Sequence, residues 1–574
     1  MGRGAKFRAS HCFRSQELLM KLTTMTRLGL TFAGGVVMGL TPAPMNVWPL
    51  GWVALVPLWM AIAFESRNSA ILSFFFHQKP IQKNRLFSIL KTLKQEPKLR
   101  FWLRLWAFPL VWGLGYHGVA LSWILGIHPM TWMGVPWWPS LAIALFCWGF
   151  ISLWGAGLVV VWATVVAIAT TRTHVITRLI LATATWCILE SVWSAGDLWW
   201  TAIAYTQSPN NLAILHLSQL SGPNTVAAAI VAVNGAIAEG LIAYFKNYRE
   251  EGRSVRRVRG LLVTALILFC TVHAIGFYLL SRPLNDLGDR ALKVGLIQGN
   301  IPNEIKLNYF GYQKALYGYT TGYETLTDRG VDIVLTPETA LPYLWTETSR
   351  ESRDFYRVIL EKNIPAWVGT FAQTEDGNIT NSLLTVTGTG ETYSRYDKTK
   401  LVPLGEYIPF EDLLGKFIDR LSPLDAHLVH GDKHQIFETP FGRAIVGICY
   451  DSAFPEHFRR QAAAGGQFIL SASNDAHYTP VQMHQHNALD LMRAVESDRW
   501  IVRATNTGLS SVIDPHGRIL WRSQINRYQE HIATIYRRDT QTLYVRWGDW
   551  LTRCLGILAV IVTGLEWRIR KFSS

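Results

Sequence analysis

From Arg27 to Leu280 the chain is a succession of apolar runs, and this feature narrows the fold more than any other. Each run approaches the roughly 20 residues that a helix needs to cross about 30 Å of hydrocarbon. There, only a helix or a closed barrel can satisfy its own backbone. Spans are expected near 28–44, 47–64, 105–126, 137–168, 178–195, 222–245 and 259–280, with an eighth near 549–567 after a long charged interval. The run at 137–168 is long for one tilted span, and the more polar stretch 196–221 suits a segment that partly re-enters. Composition agrees: of 574 residues 49% are hydrophobic and only 17% charged, which excludes a disordered, collagenous or disulfide-stapled chain.

The net charge of +14 is informative through its distribution. Lys and Arg collect in alternate loops, from Arg67 to Arg104, at Arg172 and Arg178, and from Lys246 to Arg259, whereas 127–136 and 196–221 contain none. Short cytoplasmic loops carry this excess, so both termini are expected in the cytoplasm and the charged interval outside. Four parts follow: a basic leader, 1–26; a seven-span membrane domain, 27–284; an extracytoplasmic domain, 285–547; and a last span with its tail, 548–574. A signal-peptide reading of the first run competes, since a basic start precedes Thr41-Pro42-Ala43-Pro44. The basic stretch 77–100 reads either as a solvated loop or as an amphipathic helix on the anionic inner leaflet. With the surplus accounted for by loops, nucleic-acid binding is left without support.

The external interval alternates strand and helix. Strands are expected at Leu292–Gln298, Asp332–Thr336, Ala366–Gly369, Ser382–Thr387, Ala444–Cys449, Phe468–Ser471, Ile501–Ala504 and Ser511–Asp514, and helices near 309–327, 350–361, 455–463 and 483–498. Continuous apolar strands with helical connections indicate a sheet covered on its faces. Functional groups in such folds gather where strands end.

Three strand ends carry chemistry. Ile333-Val334-Leu335-Thr336-Pro337 runs into the carboxylate of Glu338, Ala444 to Ile448 runs into the thiol of Cys449, and Tyr396-Asp397-Lys398 precedes Leu401-Val402-Pro403-Leu404-Gly405-Glu406-Tyr407-Ile408-Pro409. Cys449 is also the lone cysteine of the external domain; Cys12 lies in the leader, and Cys147, Cys187, Cys270 and Cys554 lie in or beside spans. A thiolate attacks an acyl carbon, a carboxylate relays its proton and an ammonium stabilises the oxyanion. Taken singly, each residue reads as well as a helix cap, a surface pair or a buried inert thiol.

Together, and in this order, they resemble the nitrilase (carbon–nitrogen hydrolase) superfamily. With the spans, the block from Tyr396 to Pro409, Ile448-Cys449-Tyr450-Asp451 and Ser473-Asn474-Asp475-Ala476, the chain resembles the apolipoprotein N-acyltransferase family within it. The resemblance implies an αββα sandwich joined to a polytopic helical bundle in the bacterial inner membrane. It implies Glu338, Lys398 and Cys449 as the catalytic triad, with Glu406, Tyr450, Asp451 and Asn474 in support. It further implies a phospholipid acyl donor, a diacylated apolipoprotein acceptor and a ping-pong reaction through a Cys449 thioester. No cofactor or metal is expected, and a monomer is. Three positions depart from the family pattern: Asp451 where Glu is usual, Leu307 after Lys306 where Trp is common, and His477 where Trp is frequent.

Two other readings stand beside this one. A membrane-tethered amidase would use the same triad with water as the acceptor, and a scaffold or transporter would leave the triad unexplained. His477, His484 and His486 near Asp475 raise a metal site, against which i,i+2 positions on a helix do not face each other. Arg493 and Glu496 read as a surface or core-edge ion pair of little energetic weight.

Overall fold

The computed structural model describes residues 23–67, 97–247, 255–346, 353–407 and 428–573. The leader up to residue 22, which includes Cys12, the basic stretch up to residue 96, and Ile408-Pro409 lie outside the described residues.

Each expected span coincides with a helix. These are α1 (Thr24–Gly39), α2 (Val56–Arg67, entered through a 3₁₀ turn at Trp48–Trp52), α3 (Pro97–Ala120), α4 (Trp137–Arg172), α5 (Val175–Ala195), α6 (Pro223–Asn247), α7 (Val255–Leu280) and a last helix, Trp550–Ser573. By length and apolarity six of them qualify as membrane spans among the described residues. The other two are α1, only 16 residues long, and α3, whose first turns carry Lys98, Arg100 and Arg104. Helix α4 is one unbroken element of 36 residues, or about 54 Å at 1.5 Å per residue, so it extends beyond the hydrocarbon.

Tryptophans fill the bundle. Trp162 meets Trp59 at 5.5 Å and Trp186 at 5.2 Å, both edge to face, and all three are buried. Arg178, which the charge pattern places in a loop, lies inside α5. Its guanidinium holds Glu239 of α6 in two hydrogen bonds of 2.7 and 2.6 Å, and Trp59 Nε1 donates to the same carboxylate. A buried charge persists only with such a partner. The polar stretch 196–221 folds into short helical turns, with Trp199, Ile203, Ile214 and Leu215 buried.

The external domain has two sheets. The first orders β12 (Gln529–Tyr536), β1 (Ala291–Gln298), β2 (Ile333–Leu335), β4 (Ala366–Gln373), β5 (Ile379–Val386) and β6 (Thr392–Asp397), with β3 (Leu341–Leu344) paired on β4. The second orders β11 (Ile519–Arg522), β10 (Ser511–Ile513), β9 (Ile501–Thr505), β8 (Phe468–Ser473) and β7 (Ala444–Ile448). Val294, Leu296, Leu335 and Trp367 pack against Val446, Leu470 and Val502 between them. Helices α8 (Tyr309–Asp328) and α9 (Asp354–Lys362) cover the outer face of the first sheet through Tyr319, Tyr323, Phe355 and Ile359. Helices α10 (Pro455–Ala463) and α11 (Pro480–Ser497) cover the second, completing the αββα sandwich. Phe458, Leu491, Met492 and Val495 of these helices share one continuous core with Trp59, Trp186, Ile203 and Ile214 of the bundle. The last helix, α12, is fastened where Asp549 accepts from Asn224 at 2.6 Å and Ser191 at 3.1 Å.

Candidate active site

Strand β2 is buried at every position, and the chain leaves it through Thr336-Pro337 to present Glu338. The next residue, Thr339, has φ +44°, a conformation that a β-branched side chain rarely adopts. Gly369 of β4 makes room for the turn, since a Cβ there would stand 1.9 Å from the Pro337 carbonyl. Lys398 follows β6 and is almost wholly buried; its Nζ donates to Glu338 at 2.8 Å and to Glu406 at 2.9 Å. Asn381, on neighbouring β5, donates through Nδ2 to the same two carboxylates at 2.7 and 3.2 Å. Glu406 is aimed by its other oxygen, which accepts from the Val402 N–H at 2.8 Å.

Cys449 sits where β7 breaks into a 3₁₀ turn, at φ +50°. A non-glycine residue held in this region on a strand-to-helix turn projects its side chain clear of the sheet. Two buried groups brace the turn. Asp451 accepts from the Ile448 N–H at 3.0 Å, Tyr396 Oη at 2.9 Å, Thr399 Oγ1 at 2.9 Å and the Lys400 N–H at 2.8 Å, tying the cysteine turn to the lysine loop. His486 of α11 places Nε2 2.9 Å from the Cys449 carbonyl and Nδ1 2.8 Å from Asp475, which Arg503 also holds at 2.9 Å.

The bundle supplies one wall. Trp200 stacks on Tyr450 at 6.1 Å, the Tyr450 hydroxyl donates to the Asp197 carbonyl at 2.6 Å, and the Asp197 side chain pairs with Lys400 at 2.7 Å. From the loop between α3 and α4, Trp123 meets Tyr478 at 5.2 Å and Trp132 stacks on His477 at 5.6 Å.

Electrostatics assign the resting charges. Burial alone would raise the Glu338 pKa, but the charge of Lys398, its hydrogen bond and the nearby Lys306 outweigh it and hold the carboxyl below its usual range. Burial would likewise discharge Lys398, yet Glu338 and Glu406 push its pKa well up. Burial and then Glu338 raise the Cys449 thiol, with Lys398 opposing. The resting set is carboxylate, ammonium and thiol.

A family profile described as carbon-nitrogen hydrolase matches residues 293–544, and one described as apolipoprotein N-acyltransferase N-terminal domain matches 86–236. The chain is 52% identical over 535 residues to the apolipoprotein N-acyltransferase of Nostoc sp., covering 93% of this chain and 98% of that protein. It is 46% identical over 544 residues to that of Synechocystis sp., covering 92% and 98%. It belongs to the apolipoprotein N-acyltransferase family.

In this member of the family the sequence-derived residues Glu338, Lys398, Glu406 and Cys449 converge, and Tyr450 lies beside them. Asp451 points inward to brace the turn. Asn474 is bonded to Asn506 at 3.0 Å and Asn303 at 3.2 Å. The three histidines disperse: His477 faces Trp132, His484 is half-buried, and His486 alone reaches the cysteine turn. Among the described residues Cys449, Asp475 and His486 are grouped within 4.8 Å, but both ring nitrogens of His486 already have partners. Arg493 and Glu496 correct the surface reading: the pair is fully buried at 2.8 Å, and Arg493 also donates to the Ser452 carbonyl, because α11 is sandwiched between sheet and bundle. Asn381, Asp197 and the buried Lys306 join the site without a signal that marks them as site residues in the sequence. Asp197 falls in the more polar stretch 196–221 and Lys306 next to the departure at Leu307, whereas Asn381 lies in no motif.

Proposed function

We propose that the protein moves an acyl chain from a membrane phospholipid to the α-amine of a diacylglyceryl-modified N-terminal cysteine, with Glu338, Lys398 and Cys449 as its catalytic triad. The observation that carries this reading is the buried Glu338–Lys398 pair of 2.8 Å beside a thiol on a strained turn, walled by residues from loops between spans. Glu338 takes the thiol proton as sulfur attacks the phospholipid ester. Lys398 and the Tyr450 N–H hold the oxyanion, and Glu338 returns the proton to the departing glyceryl oxygen, so that a lysophospholipid leaves and a thioester remains. In the second half, the amine attacks the thioester, its proton passes to Glu338, and collapse restores the thiol while forming the amide. This is ping-pong chemistry.

The low-lying Glu338 carboxylate and high-lying thiol imply that no standing thiolate is kept; proton removal accompanies attack. The alternation of basic loops supports a catalytic domain on the periplasmic face of the inner membrane with both termini inside. Mass spectrometry of the full chain with phospholipid vesicles tests the first half. A hydroxylamine-labile acyl adduct on Cys449, absent in Cys449→Ser, is expected. With diacylated lipopeptide added, triacylated peptide is expected; free fatty acid without peptide acylation would instead establish the tethered hydrolase.

A further inference from the structure

The site holds a second ammonium that the acyl-transfer steps leave unused. Lys306 closes a short helical turn, Asn303–Lys306, after β1, and is 3% exposed. Its Nζ donates to the Glu338 carbonyl at 3.2 Å and to Thr339 Oγ1 at 2.6 Å. Those are the two residues that form the base-bearing turn, and Thr339 is the one at φ +44°. Lys306 thus grips the strained peptide for which Gly369 makes room.

The charge count gives it a second task. Lys398 is shared between Glu338 and Glu406, so these three buried or nearly buried groups carry one negative charge more than positive. Facing them are Cys449, a thiol in the resting state, and His477, whose pKa is lowered to about 4 by burial and by Lys306, leaving it uncharged at neutral pH. Lys306 brings the sum to zero. Its charge acts on Glu338, Lys398 and Cys449 alike, which places it within the same electrostatic cluster.

We propose that Lys306 is a positioning residue for acyl transfer: it locks the turn that presents Glu338 and supplies the counter-charge that keeps this base ionised. The proposal rests on the reading of Glu338 as base. Removing a cation beside a carboxylate raises its pKa, so the loss of rate on acidification must begin at higher pH.

The experiment follows single-turnover acylation of Cys449 by phospholipid vesicles against pH, using the full chain. Lys306→Met is expected to move the acid limb upward by about one pH unit or more. Lys306→Arg, which keeps the charge, should hold the native limb, as should Thr339→Gly, which keeps the charge and relieves the turn. Should Lys306→Met not accumulate in folded form, Lys306→Gln removes the charge while keeping a donor, and must move the limb in the same direction. An unmoved limb in the neutral variants, with only a lower plateau, reduces Lys306 to a spacer and overturns the proposal; so does an equal shift in Lys306→Arg. Failure of the acyl-transfer reading is distinguishable, because native protein would then form no thioester at Cys449 at all.

Discussion

The Asp451 carboxylate is spent inward on four donors between 2.8 and 3.0 Å. Asp451→Asn replaces an acceptor oxygen by a donor that faces other donors, at about 1–3 kcal/mol for a buried unsatisfied group. A lowered thermal midpoint, with acylation lost in proportion, is expected; an unchanged midpoint would refute the bracing role. Lys398→Met removes both the proposed oxyanion donor and the main counter-charge of Glu338. Acylation should fall by about 10²–10³. The residual activity should lose its rate at higher pH than native, because Glu338 no longer resists protonation. The same sign governs stability: Glu338, Asp475 and Asp490 all have lowered folded-state pKa values. Their contribution is present above the ordinary carboxylate range and is lost as pH falls through the folded values.

At the scale of elements, the approach of β4 to the turn after β2 sets where Glu338, the proposed base, stands. Gly369→Ala forces these apart at the Pro337 carbonyl, and a displacement of about 1 Å can cost about 10²-fold in rate; Gly564→Ala, in α12 with nothing within 4 Å of its added Cβ, should leave acylation unchanged. Rate assays on the two variants separate a placed base from general sensitivity to substitution. In α11, Glu496 has a pKa raised to about 7 by burial even with Arg493 opposing. Arg493→Met should therefore destabilise by about 3–5 kcal/mol, and Arg493→Met with Glu496→Leu should restore much of it, read by thermal unfolding. Legibility followed the same logic of burial. Strands β1, β7 and β8, nearly continuous in apolar residues and covered on both faces, were readable from sequence. Strands β3, β6, β11 and β12 were not, because their exposed or half-exposed positions break the apolar signal. The chemical residues at strand ends carried motif information, whereas Asn381 acquires its place from the register of β5 against β6, where Ser382 pairs with Asp397. That register is a property of the assembled sheet.

For the whole molecule, the proposed orientation places a tag fused after Ser574 on the inside. It should be reached by antibody only after the inner membrane is permeabilised, and labelling of intact spheroplasts would reverse the assignment. The packed interior runs from Trp59 and Trp186 straight through to Leu491 and Val495. Severing the chain at the spans would bare an oily underside two helices wide, and residues 285–547 expressed alone are expected to precipitate from water. The anchor is therefore half of the catalyst's foundation. With the bundle in the bilayer as proposed, the shared core makes the height of the site a built-in dimension, and substrates come to a fixed workbench instead of being sought by a roaming head.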